Sequence, residues 1–293
     1  MLWVFYSLLS AGFNGGKVAY DKNLLTGSGL SPVMIIFITM SVIAITLTPV
    51  AFFLGEQVYL SNPVFLKATL INVILNAIAM PFFLFMLSRH DGSLITGIQS
   101  MEPLFVVGTA FFVLGETVSI YGLIGIVIVI SGGFLLQKSR IKEDLGVILL
   151  HSPWVMVTVY MMLTSTATAY SKQAVIEGGV FIYLGLRYTC LALLFLSIIL
   201  FRRLSGKGKK ENYQFKIAHI GSGLLSTLSV MFEMIALEMT KAAYVETIRR
   251  SSAFFTLVFE SIFLKNKWNM ARAFACIVMF IGAAIIVLST GVL

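Results

Sequence analysis

The stretch Val118-Ser119-Ile120-Tyr121-Gly122-Leu123-Ile124-Gly125-Ile126-Val127-Ile128-Val129-Ile130-Ser131-Gly132-Gly133-Phe134-Leu135-Leu136-Gln137 contains no charged residue. A helix rises ~1.5 Å per residue, so about 20 such residues cover the ~30 Å hydrocarbon core of a bilayer. Nine further apolar stretches of similar length lie at about 2–20, 32–54, 66–87, 93–114, 152–172, 181–201, 216–238, 243–264 and 269–290. A soluble domain needs polar helix faces to meet water and cannot use ten helices of this kind. Barrel strands alternate and never run apolar for twenty residues. The expected fold is therefore an all-α membrane protein of ten transmembrane helices.

The 293 residues are 58% hydrophobic and 12% charged, against about 25% charged in an average soluble domain. The net charge of +8 does not point to nucleic acid, because the basic residues sit in short loops, where charge orients a membrane protein. Membrane lipid is the expected neighbour, and the run Arg202, Arg203, Lys207, Lys209, Lys210, Lys216 either sets topology or meets anionic headgroups. Residues 1–20 lack a basic segment before the apolar run and read as a first span rather than a signal peptide. Cys190 and Cys276 lie in separate spans and suggest neither a disulfide nor a metal site.

The polar segment 138–151 divides the spans into two sets of five, residues 1–137 and 152–293. A shift of 150 positions lays 93–137 on 243–287 without a gap, bringing Gly132-Gly133 onto Gly282-Ala283 and Leu114 onto Leu264. An odd number of spans per repeat makes the second repeat enter the membrane from the opposite side. The architecture expected is two inverted five-helix repeats with a substrate cavity between the halves. Loops after odd-numbered spans carry most of the Lys and Arg, and those on the other side only Lys67, Lys172 and Lys241. The positive-inside rule then puts both termini on the non-cytoplasmic side of a cell (inner) membrane.

The motif Leu114-Gly115-Glu116, the run from Tyr244 to Phe255, Lys17, Lys172 and the pair Arg187-Tyr188 together resemble the EamA-like branch of the drug/metabolite transporter superfamily over essentially the whole chain. Leu114-Gly115-Glu116 resembles the family's ending of helix 4, followed by a Gly-rich helix 5. The run from Tyr244 through Arg249-Arg250-Ser251-Ser252 to Phe255 resembles its helix 9 pattern. Lys17 and Lys172 stand where members carry a Lys at the end of the first helix of each repeat, and Arg187-Tyr188 resembles an Arg-aromatic pair in the second. Asn266 stands where the second repeat often has Glu, and Thr39 where the first often has Arg. Members usually place both termini in the cytoplasm, against the charge count. The resemblance implies a transporter of small organic solutes, often an exporter.

Polar groups inside a bilayer cost ~2.5–3.5 kcal/mol for a central charge and need a reason. Asn72 and Asn76 share one face of helix 3; Ser222, Ser226, Ser229 and Glu233 share one face of helix 8. They line a central cavity or bond helix to helix. Gln99, Glu102 and Pro103 fall in mid-span, where proline should bend the helix. Glu102 is either an ionisable site for a proton or an amine, or the partner of Arg249 or Arg250. The two arginines either touch the solute, favouring an anion or zwitterion, or pair with Glu246 or Glu102 while one snorkels. Lys17 and Lys172 are gating or coupling candidates but read first as snorkelling topology anchors, and Arg187 reads likewise. Trp3, Trp154 and Trp268 suggest an interfacial belt, and Phe82, Phe83, Phe85, Phe254 and Phe255 suggest packing.

No enzyme motif, metal cluster or cofactor motif appears. The reading is a secondary transporter of a small organic solute (metabolite, amino acid or drug-like) by alternating access, with export favoured. Substrate binding falls to Asn72, Asn76, Gln99, Glu102, Ser226, Arg249 and Arg250, and gating or coupling to Pro103, Glu233, Lys17 and Lys172. Protons are the candidate coupling ion, and the protein is a monomer or homodimer. The alternatives are a lipid-carrier flippase or transport-complex subunit and, behind them, a membrane-embedded enzyme.

Overall fold

The computed structural model describes residues 1–28, 32–89, 99–137, 153–204, 218–264 and 270–291. Among these there are eleven α-helices and no strands. They are α1 (Leu2–Ser28), α2 (Pro32–Phe53), α3 (Pro63–Arg89), α4 (Glu102–Leu114), α5 (Ile120–Gln137), α6 (Pro153–Gly178), α7 (Val180–Leu204), α8 (Ala218–Met239), α9 (Ala242–Arg249), α10 (Ser252–Leu264) and α11 (Met270–Gly291). A 3-10 turn, Glu56–Ser61, links α2 to α3. Segments of α2, α3, α7 and α8 are each long and apolar enough to cross a membrane by length and composition.

Two stretches that read as single spans are shorter or divided. Helix α4 has 13 residues, ~20 Å, and begins after a turn at Ser100-Met101. The stretch 243–264 is divided into α9, of 8 residues, and α10, of 13, by a turn at Arg250-Ser251. There the backbone tightens: Ser251 N donates to Ile248 O at 2.9 Å and Phe254 N to Ser251 O at 2.9 Å. Adding 150 to the bounds of α4, 102 and 114, gives those of α10, 252 and 264. The span is interrupted at Ser100-Met101, just before Pro103. Pro103 lies in the first turn of α4, where a helix has no use for the missing N–H.

The main helix contacts run between the first five helices and the last six. Helix α5 packs on α11, α2 on α7, α1 on α8 and α10, and α3 and α4 on α6. Exchanging the two repeats turns the α1–α8 contact into α6–α3 and the α1–α10 contact into α6–α4. The α2–α7 and α5–α11 contacts map onto themselves. The same reciprocity appears atom by atom. A methyl group at Gly132 would stand 2.9 Å from Ala275 O and meet Met279; one at Gly282 would stand 2.7 Å from Gly125 O and meet Val129. Positions 125, 129 and 132 become 275, 279 and 282 on adding 150. Gly132 is thus a point of close helix approach.

The core runs through the contact zone and includes the fully buried Phe65, Ile126, Tyr183, Leu184, Leu191, Phe195 and Tyr244. Trp3 does not sit in an interfacial belt. It is buried and stacks on Tyr244, ring centroids 6.3 Å apart. The side chains of Trp154 and Trp268 lie outside the described residues. Phe254 packs edge-on against Phe280, and Phe82 against a small core of Met156, Val157 and Met161.

Candidate functional site: a buried arginine–glutamate network at the helix breaks

Helix α9 ends in two adjacent arginines, and the turn that follows aims them at different partners. Arg250 Nη2 lies 2.5 Å from Glu102 Oε2 and 3.3 Å from Glu246 Oε2. Arg249 Nη1 lies 2.9 Å from Glu233 Oε1 and 3.1 Å from Glu246 Oε1. Glu246, one turn back on α9, bridges the two guanidiniums. Glu102 comes from the first turn of α4 and Glu233 from α8. The carboxylates are buried, while the arginine side chains are 26% and 25% exposed. Their neighbours Thr247, Ile248 and Ser251 are all buried. Neither arginine snorkels, because a carboxylate within hydrogen-bond reach holds each one at depth.

A second polar network lies on α3, α6 and α7. Asn72 Nδ2 donates to Ala167 O at 2.6 Å and to Ser171 Oγ at 2.8 Å. Asn76 Nδ2 donates to Asn72 O at 2.9 Å. Arg187 Nη2 donates to Asn76 Oδ1 at 3.2 Å, and Nη1 to the Tyr183 hydroxyl, also at 3.2 Å. Tyr183 in turn donates to Ser171 Oγ at 2.7 Å. Arg187 is therefore no interfacial anchor: two buried side chains hold its guanidinium against the bundle. The spacing Tyr183–Arg187, four residues on one helix face, is the sequence signal that points to this.

The other expected residues take distinct places. Ser222 Oγ donates to Asp21 on α1. Ser226 is buried on α8, and Ser229 bonds to Ser10 on α1. Gln99 is half-buried beside the turn before α4. Lys17 pairs with Asp21 at 2.8 Å, one turn along α1. Lys172 is not a snorkelling anchor: it is buried and bound to Glu116 and Thr240 O. The other oxygen of Glu116 accepts from Ala242 N, capping α9, at 2.9 Å. Gly115, at φ +69, ends α4 in the left-handed region and turns Glu116 toward these partners. This is the physical content of the Leu114-Gly115-Glu116 pattern. Asn266 lies outside the described residues.

A two-repeat helical membrane protein with buried ion pairs where its helices are interrupted has the build of a solute transporter. The EamA-like transporter family model matches residues 1–137 and again 152–288, and the chain belongs to that family. A solved structure described only as "Crystal structure of protein" superposes with a TM-score of 0.73 over 95% of this chain and 96% of that one, at 15% identity. Its likeness concerns the fold. No curated protein matches the sequence.

Proposed function

We propose that this multi-pass membrane protein is a secondary transporter that moves a small organic solute by alternating access, with export favoured. The observation that carries the reading is the cluster of Arg249, Arg250, Glu102, Glu233 and Glu246 beside corresponding turns of the two repeats. Interrupted helices at matching positions in two repeats are where transporters bind solute, and membrane-buried charges are retained for function. Ten spans in two inverted repeats, residues 1–137 and 152–293 joined by 138–151, form the proposed frame. In this frame α9 and α10 together supply the length of one span.

Asn72, Asn76, Gln99, Glu102, Ser226, Arg249 and Arg250 form the proposed substrate site. Pro103, Glu233, Lys17 and Lys172 take part in gating or coupling, and protons are the coupling ion. An ion pair that holds the site closed in the empty state is broken when solute supplies a competing charge, which ties binding to helix movement. The charge count supports non-cytoplasmic termini in the inner membrane; a reporter fused after Leu293 that proves cytoplasmic overturns that orientation. Solute flux into proteoliposomes, driven by a proton or solute gradient, tests the whole reading. Glu102→Gln is expected to lower it at least tenfold, and flux indifferent to both gradients overturns the proposal.

A lipid-carrier flippase is the second reading. It is supported by an open apolar groove of about 520 Å³ between α2 and α7, lined by Phe37, Ala44, Ile45, Pro49, Leu193 and Leu196. Flux of a lipid but of no soluble solute would favour it.

A further inference from the structure

We infer that Arg187 is the anion subsite of the proposed transport site and takes the carboxylate of the solute, an inference that rests on the transport reading. Of the three arginines in the two networks, Arg249 and Arg250 each touch two carboxylates of the protein's own. Arg187 touches neutral oxygens only, those of Asn76 and Tyr183. Among the described residues no carboxylate lies within 4.0 Å of it. Its Nε is buried and has no acceptor, which is also true of the Nε atoms of Arg249 and Arg250. A guanidinium offers five donors in a planar fork, and its Nε/Nη edge matches the two oxygens of a carboxylate.

The surroundings fix the guanidinium for this task. Tyr188 and Tyr183 hold it by cation–π contacts, with Cζ 5.2 Å and 5.9 Å from the ring centroids. Asn76 and Tyr183 position the two Nη atoms. A protein that needed only to neutralise this charge would place a Glu beside it, as it does for Arg249 and Arg250. Instead the partners supply geometry and leave the guanidinium without a carboxylate in hydrogen-bond reach, with Glu233 acting on it only from farther off.

The charge count selects the ligand class. With Arg249 and Arg250 engaged, one guanidinium is left for the ligand, which suits a singly charged carboxylate. A phosphate dianion would need a second free cation.

The test is thermal unfolding of the purified full-length protein in detergent with two matched probe pairs, 3-phenylpropanoate and its amide, and phenylalanine and its amide. Inorganic phosphate serves as a further probe. The native protein is expected to unfold at a higher temperature with the acids and not with the amides. Arg187→Gln should abolish the acid response. Arg187→Lys, which keeps the charge and loses the fork, should retain it with at least tenfold weaker apparent affinity. If Arg187→Gln fails to fold, the acid–amide difference in the native protein and its weakening in Arg187→Lys decide the matter. Equal response to acid and amide, response to phosphate, no response to either acid, or an acid response unchanged in the variants overturns the inference. Acid-selective binding without flux of the bound acid in proteoliposomes leaves the subsite standing and removes the transport reading.

Discussion

At the scale of single residues, the protein shields its buried charges by pairing them, and the pairs differ in what they join. Lys172–Glu116 ties the end of α6 to the chain after α4 and to the start of α9. Removing one member of a buried pair leaves an uncompensated charge at a cost of roughly 3–5 kcal/mol, whereas removing both can be close to neutral. Lys172→Met is expected to lose about that much stability, and Lys172→Met with Glu116→Gln to recover most of it. A double-mutant cycle on thermal unfolding checks this, and additive losses would deny the coupling. Glu56 titrates outside the spans. Burial pushes its carboxyl above the usual range, against the opposing pull of the Ile182 and Phe181 N–H groups. A carboxyl raised in the folded state contributes stability that is full below its unfolded pKa and lost as pH rises through the folded one. Glu56→Gln should therefore flatten the fall in unfolding temperature as pH rises above the usual carboxyl range, while its amide oxygen still accepts from Ile182 N.

At the scale of elements, the repeat was legible from hydropathy and loop spacing, because both follow from bilayer thickness. The shift of 150 reappears in the bounds of α4 and α10 and in the reciprocal glycine contacts. The turns at Ser100-Met101 and Arg250-Ser251 were not legible: a span interrupted for one turn has the same apolar content as a continuous one. The place of Arg187 was hidden for a related reason. An apolar helix with no polar stripe does not disclose which face meets its neighbours, so a charge near its end reads as an anchor. The pairing of Glu102 with Arg250 was among the alternatives, since both types were known to lie in facing repeats. Glycine substitutions test the α5–α11 contact. Gly282→Ala puts a methyl group 2.7 Å from Gly125 O and should destabilise by roughly 1–3 kcal/mol. Gly108→Ala, in α4 with nothing within 4 Å, should be neutral or stabilise by about 0.5–1 kcal/mol. Chemical denaturation of the two variants side by side separates steric from propensity effects.

At the scale of the whole molecule, the repeats are interleaved. The principal partners of α1, α2, α3, α4 and α5 all belong to the other repeat. Neither half holds a core of its own, so a repeat is a unit of sequence and not of packing. Residues 1–151 and 152–293 expressed as separate chains should each fail to give a folded species alone and should co-purify when made together. A stable first half by itself would contradict this. In the proposed mechanism, movement that changes access divides the molecule across the repeats, with α1, α8 and α10 on one side and α6, α3 and α4 on the other.

The interleaving also sets a waiting time during synthesis. Helix α5 is complete at Gln137, but its partner α11 ends only at Gly291. At ~5–20 residues per second a ribosome needs roughly 10–30 s to cover that distance. For that interval, Gly125 and Gly132 offer a groove to lipid and the insertion machinery instead of to a helix. A nascent chain stalled there is the state most open to capture by membrane quality control.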